Sequence, residues 1–164
     1  MTWVKGLGIA AAMLAAALLA GCAGHPAEQV PPAQPTNAVQ CAPDDQMLPR
    51  PGRVPAGFVP VAVYRCNSQA TVENAEGRWG AVEVEHLTGD LHPLLSALAE
   101  PDDSRSDGPC PAMAELVREL WLVDAAGNAI RVHYPRTGCG FTKPAVHEAL
   151  DRLSVVGTTT QTVR

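Results

Sequence analysis

The chain has few aromatics, little basic charge and no apolar run long enough for a comfortable membrane span. Seven of its 164 residues are Phe, Trp or Tyr, so the large ones, Trp79, Trp121 and Tyr134, are expected in a core. The other reading is that one of them lines a ligand groove or partner surface. Twelve Lys+Arg stand against 17 Asp+Glu. A sequence-independent nucleic-acid binder needs a basic face, so no nucleic-acid partner is expected. No two cysteines are three apart, and no Cys/His pair has zinc-finger spacing, which argues against a metal or redox pair. There is no Gly-rich phosphate loop, no G-x-S-x-G elbow around Ser68, Ser96, Ser104, Ser106 or Ser154, and no S-x-x-K. With no assembled catalytic constellation, no enzyme, cofactor or metal is expected.

What is present starts at the N-terminus. Residues 1–21 hold 16 apolar residues, including the 15-residue uncharged run Gly6–Ala20 behind Lys5. That is short for a membrane span and suits a signal-peptide core. It ends in Leu19-Ala20-Gly21-Cys22, which resembles the lipobox of bacterial lipoproteins. The resemblance implies that residues 1–21 are removed and that the Cys22 thiol takes a diacylglycerol. Two or more acyl chains give stable anchoring, where one is marginal. The other reading is an ordinary secretory signal with Cys22 incidental. Cleavage would leave 11 basic and 17 acidic residues, a net charge of −6.

Nine of the 15 prolines fall between Pro26 and Pro60. Residues 22–40 therefore read as the lipidated Cys and a Pro-rich tether, and 41–164 as one domain. A proline-rich ligand for an aromatic groove is the alternative for the tether. Setting Cys22 aside leaves Cys41, Cys66, Cys110 and Cys139, an even set that implies two disulfides in an exported domain. Three connectivities are open. Nearest-neighbour loops close most readily, which favours Cys41–Cys66 and Cys110–Cys139.

Hydrophobic periodicity predicts the elements. Phe58–Cys66 and Trp79–Leu87 read as strands, with polar, turn-like residues 67–78 between them. Leu91, Leu94, Leu95 and Leu98 make the stripe of a helix, which Asp90 can cap and Pro101 stops. Residues 102–109 are an exposed loop. Met113, Leu116, Val117 and Leu120 have helical spacing, so a short helix is expected to run into a strand. Leu120–Tyr134 reads as a hairpin around Gly127-Asn128, with Arg131 and His133 outward. Thr142 is a candidate cap for a second helix, whose stripe is Val146, Ala149, Leu150 and Leu153, and Val155–Val163 is a final edge strand. The predicted fold is α+β, an antiparallel sheet with two helices and two disulfides, in the order β-β-α-β-β-α-β.

The chemical candidates are sparse. His86, Asp90 and His92 could hold a metal ion if the strand–helix corner gathered them, but their spacing matches no signature, and single structural histidines are the simpler reading. Glu83 and Glu85 share a strand face and read as its solvated side. His133 and His147 are expected on solvent faces without a special role. Asp102 and Asp103 sit in a loop unlike an EF-hand. Asp124 reads as turn chemistry.

Two wider resemblances follow. The tether, Cys66, Trp79, Ala97-Leu98, Cys110, Leu120-Trp121-Leu122-Val123-Asp124, Gly127, Pro135, Cys139-Gly140 and Ala149-Leu150 together look like a group of secreted lipoproteins of high-GC Gram-positive bacteria, which brings no activity with it. Gly89-Asp90-Leu91, Cys110-Pro111, Val123-Asp124, Val132-His133-Tyr134 and Cys139 are similar to the subtilisin-inhibitor family over about 50 residues. That resemblance implies a loop after Cys110-Pro111 that sits in a serine protease like a substrate, kept rigid by its disulfide. Ala112 or Met113 would then occupy the primary specificity pocket. In that family the first disulfide closes a short loop after the second strand region, whereas here Cys41 lies upstream. The leading expectation is a non-enzymatic binding module, lipid-anchored on the extracytoplasmic side of the cell membrane, with an envelope or extracellular protein or ligand as partner. The alternative is a serine-protease inhibitor, with Pro111, Ala112 and Met113 as its loop.

Overall fold

The structure, a computed structural model, describes residues 29–43 and 48–163. The signal segment 1–21 and Cys22 lie outside the described residues. Among the described residues no helix is long and apolar enough to cross a membrane.

The chain runs β1 (Pro60–Asn74), β2 (Gly77–Thr88), α1 (His92–Leu98), β3 (Glu119–Asp124), β4 (Ala129–Arg131), α2 (Pro144–Asp151) and β5 (Ser154–Thr162). All five strands form one antiparallel sheet in the order β4-β3-β1-β2-β5. Both disulfides, Cys41–Cys66 and Cys110–Cys139, have the expected pairing.

Alternation decides which side of the sheet is covered. Val63 stands between Leu87 on β2 and Leu122 on β3. With Leu120 and Ile130 these make an apolar floor for the two helices. Leu94, Ala97 and Leu98 of α1 and Val146, Ala149 and Leu150 of α2 pack down on it. Each such Leu or Val, fully buried, contributes about 1.5–3 kcal/mol. On the opposite side Trp121, Cys66 and Ala129 form a smaller cluster, with Val39, Cys41, Tyr64 and Val123 packed against it.

Residues 29–43 and 48–54 do not hang free of the domain. Ala33 is buried, Thr36 bridges Ala129 on β4, and Gly52 bridges Val132. Residues 29–40, which the sequence reading assigns to the tether, are thus bound to the sheet edge. Proline explains how a stretch without apolar period can dock. Its preset φ makes ordering cheap, and a few backbone bonds such as Ala33 N to Arg53 O (2.8 Å) suffice. Gly52 is required by close approach. A Cβ there would stand 2.4 Å from Ala33 N and 2.7 Å from Pro31 O.

Several expectations are corrected. Residues 67–78 are the arms of a long β1–β2 hairpin, paired from Asn67–Glu83 out to Asn74–Gly77. Their ladder is held by backbone bonds and polar contacts such as Arg78–Glu73 (2.8 Å), so no hydrophobic period marks it. Trp79 stands on this hairpin, 41% exposed, with its indole N–H donated to Asn74 Oδ1 (3.2 Å); it is not a core residue. Residues 111–118 contain no helix. Only Leu120 of the four spaced residues enters the core, while Met113 and Leu116 are 69% and 79% exposed. Arg131 is buried rather than outward, because residues 48–54 lie over it. Its guanidinium donates to Pro49 O (3.2 Å) and lies 3.5 Å from Glu119. Thr142 does not cap α2; Lys143 occupies that position without a side-chain bond.

Candidate functional site

The longest irregular stretch between two elements of the sheet-and-helix body runs from Ala99 to Arg118. Its first half is tied down residue by residue. Asp102 lies against the β4 continuation, with both carboxylate oxygens 2.9 and 3.0 Å from His133 Nε2 and Oδ1 accepting the Arg136 N–H (2.8 Å). Asp103 and Glu100 pair with Lys143 at 2.7 and 3.3 Å. The bond from Asp103, set against partial burial and joined by Glu100, raises the lysine's pKa. Ser106 N donates to Gly138 O (2.9 Å), and at Gly138 a Cβ would stand 2.7 Å from Ser104 O. The Cys110–Cys139 bond completes this footing.

The second half is held at Glu115 and Arg118. Glu115 Oε2 accepts the N–H of buried Thr142 (2.7 Å), and Oε1 lies 2.8 Å from His147 Nε2. Burial alone would raise the Glu115 carboxyl, but the Thr142 N–H and the His147 ring outweigh it and hold the group below the usual carboxylate range. Arg118 donates to Glu85 (2.9 Å), which also takes Arg65 (2.6 Å), while Tyr134 OH donates to Arg118 O (2.9 Å). Burial is again outweighed at Glu85, and the two guanidiniums lower its pKa. Between the disulfide and Glu115 stand Pro111, Ala112, Met113 and Ala114, all exposed. The arrangement is a short irregular segment, clamped at both ends and presented to solvent.

A second concave region lies on the sheet face opposite the helices. It is an open groove of ≈ 520 Å³ lined by Val39, Cys41, Tyr64, Val84, Val123, Thr159 and Gln161. Tyr64 stacks on His86 beside it, with ring centroids 4.7 Å apart.

The predicted candidates fall as follows. Pro111, Ala112 and Met113 lie in the clamped segment. His86 is committed to Tyr64, and Asp90 Oδ1 accepts the His92 backbone N–H (3.0 Å), so the three residues do not converge. Among the described residues no group of three His, Cys, Asp or Glu could hold a metal ion. Glu85 is not on a solvated face, since its side chain is 13% exposed under two arginines. His133 and His147 are not idle either: each pins part of the 99–118 stretch through a carboxylate. Asp124 is turn chemistry, as expected. Its Oδ1 accepts the N–H groups of Ala126 and Asn128, both at 2.9 Å, and the Asn128 bond lowers its pKa. Glu115 was not legible in the sequence, because it sits inside a window with helical spacing and its partners are 27 and 32 residues away. Compared with known protein families, curated proteins and solved structures, the chain matches none.

Proposed function

We propose that the chain is a non-enzymatic binding module, anchored through lipid on Cys22 and facing the extracytoplasmic side of the cell membrane, where it meets an envelope or extracellular protein. The lipobox-like Leu19-Ala20-Gly21-Cys22 motivates the anchor. The observation that carries the binding role is the clamped segment after Cys110. Exposed apolar side chains such as Met113 cost solvation when left bare and gain when covered. A segment already ordered by a disulfide and a carboxylate clamp loses little entropy on docking, so more of its contact energy is available as affinity. Growth with labelled palmitate tests the anchor: the chain should take up label and Cys22→Ala should not. Unlabelled wild-type chain would remove the lipid reading.

One observation favours a second, narrower reading, a serine-protease inhibitor of the subtilisin-inhibitor type. The residues following Cys110-Pro111 are exposed and form no helix, which leaves them open to a protease as a substrate-like loop must be, where their spacing alone suggests a helix. The Cys110–Cys139 bond and Glu115 restrain the segment on its two sides. A restrained loop accepts the protease's attack but does not separate after cleavage, so it stays bound. Titrating subtilisin and trypsin with the purified full chain decides between the readings. On the inhibitor reading subtilisin is titrated stoichiometrically, and Met113→Lys or Ala112→Lys moves inhibition toward trypsin, which takes a basic residue. No inhibition of either protease at micromolar chain removes the inhibitor reading and leaves the binding module.

A further inference from the structure

The two edges of the sheet are finished differently. β4 is three residues long, and residues 29–43 and 48–54 cover it: Thr36 and Ala129 exchange backbone bonds at 2.8 Å, and Gly52 N donates to Arg131 O (3.1 Å). β5, at the other edge, is nine residues long and exposed throughout. Among the described residues it pairs with β2 alone. Its sequence, Ser-Val-Val-Gly-Thr-Thr-Thr-Gln-Thr, has no charge and no proline, two means by which an edge strand turns a second strand away, and a single bulge at Val156 near its start leaves Gly157–Thr162 in regular register. Val155 and Val156 stand 46% and 56% exposed on it.

We propose that β5 pairs with β5 of a second copy of this chain, antiparallel about a two-fold axis at Thr158, joining the two sheets into one of ten strands. Two properties select a second copy as the occupant. Antiparallel pairing of a strand with itself is self-complementary, which is what a closed two-fold dimer requires. With Thr158 at the centre, Gly157 faces Thr159 and Val156, the one bulged residue of the ladder with β2, lies across from Thr160. Charge agrees as well. The molecule is acidic, so two copies repel over most of their surfaces, but this strand brings no like charges together. Glu85, opposite Thr158 on β2, is already compensated by Arg65 and Arg118. This assembly is independent of the binding role of residues 111–118.

Sedimentation equilibrium of the full chain in density-matched detergent, over a range of concentrations, tests it. The wild-type chain is expected to dimerise. The double substitution V156K/T160K sets lysine opposite lysine twice and should raise the dimer dissociation constant about tenfold or more. V156E/T160E should do the same. An equimolar mixture of the two variants should restore the dimer, which misfolded chains would not do. A wild-type chain that stays monomeric overturns the proposal and leaves the edge to a foreign strand. Variants that dimerise as well as wild type, or a mixture that does not recover, overturn it too, by placing any dimer contact elsewhere.

Discussion

Glu115 holds the exposed segment on the side away from the disulfide. Its two oxygens face different partners, the Thr142 N–H at 2.7 Å and His147 at 2.8 Å. Glu115→Ala leaves a buried N–H unmatched, at a cost of about 1–3 kcal/mol, and frees residues 111–118 on one side. The expected outcome is faster proteolytic nicking within residues 111–114, read by mass spectrometry, with Glu115→Gln intermediate because it still accepts from Thr142. Equal nicking rates in wild type and Glu115→Ala would sink the clamp. The sign with pH follows from the carboxyl's lowered pKa. Its contribution is present above the ordinary carboxylate range and is lost as pH falls through the depressed folded value. The segment should therefore loosen in acid.

Among the elements, the β1–β2 hairpin divides in two. Residues 60–66 and 81–88 lie over the helices or beside covered strands, whereas residues 73–80 are exposed on both faces. A ladder without apolar cover opens locally at small cost. Asn74 closes the far end, its Oδ1 accepting from Glu76 N (2.9 Å) and from the Trp79 indole (3.2 Å). Asn74→Ala should cost about 1 kcal/mol at most and act locally. In hydrogen exchange the amides of residues 70–80 should exchange sooner than those of residues 63–66 and 81–87, and the substitution should accelerate only the former. Uniform protection along both strands would contradict this division. The same lack of cover explains why the sequence shows a turn here: without a buried face there is no alternation to read. The false helix at residues 113–120 is the converse case. Apolar residues recur at helical spacing, but disulfide and carboxylate anchors fix the segment on its two sides, residues 111–118 form no helix, and most of those residues face water.

For the molecule as a whole, the two disulfides divide the labour. Cys41–Cys66 fastens the N-terminal segment to β1, and Cys110–Cys139 fastens the long connection to the loop before α2. The closed loops, with separations of 25 and 29 residues, are alike, so each bond should contribute about 3–4 kcal/mol on the chain-entropy account. Replacing either pair by alanine should lower the denaturant midpoint by similar amounts, while only loss of Cys110–Cys139 should expose residues 104–118 to protease. An unchanged midpoint in both variants would mean that packing alone holds the fold.

The sequence by itself determined the local and the arithmetic. Apolar alternation and i, i+3, i+4 stripes marked the main strands and both helices, because burial on one face leaves a periodic trace. An even set of four cysteines with short separations pointed to the pairing found, because short loops close at least entropic cost. The tertiary structure alone decided what depends on partners distant in the chain. It bound residues 29–40 to the sheet edge and buried Arg131 under residues 48–54. It also drew Glu85, Glu115, His133 and His147 into pairs and left β5 open. No pattern along the chain records such contacts, since each is made by a charge or a backbone group whose partner arrives from tens of residues away.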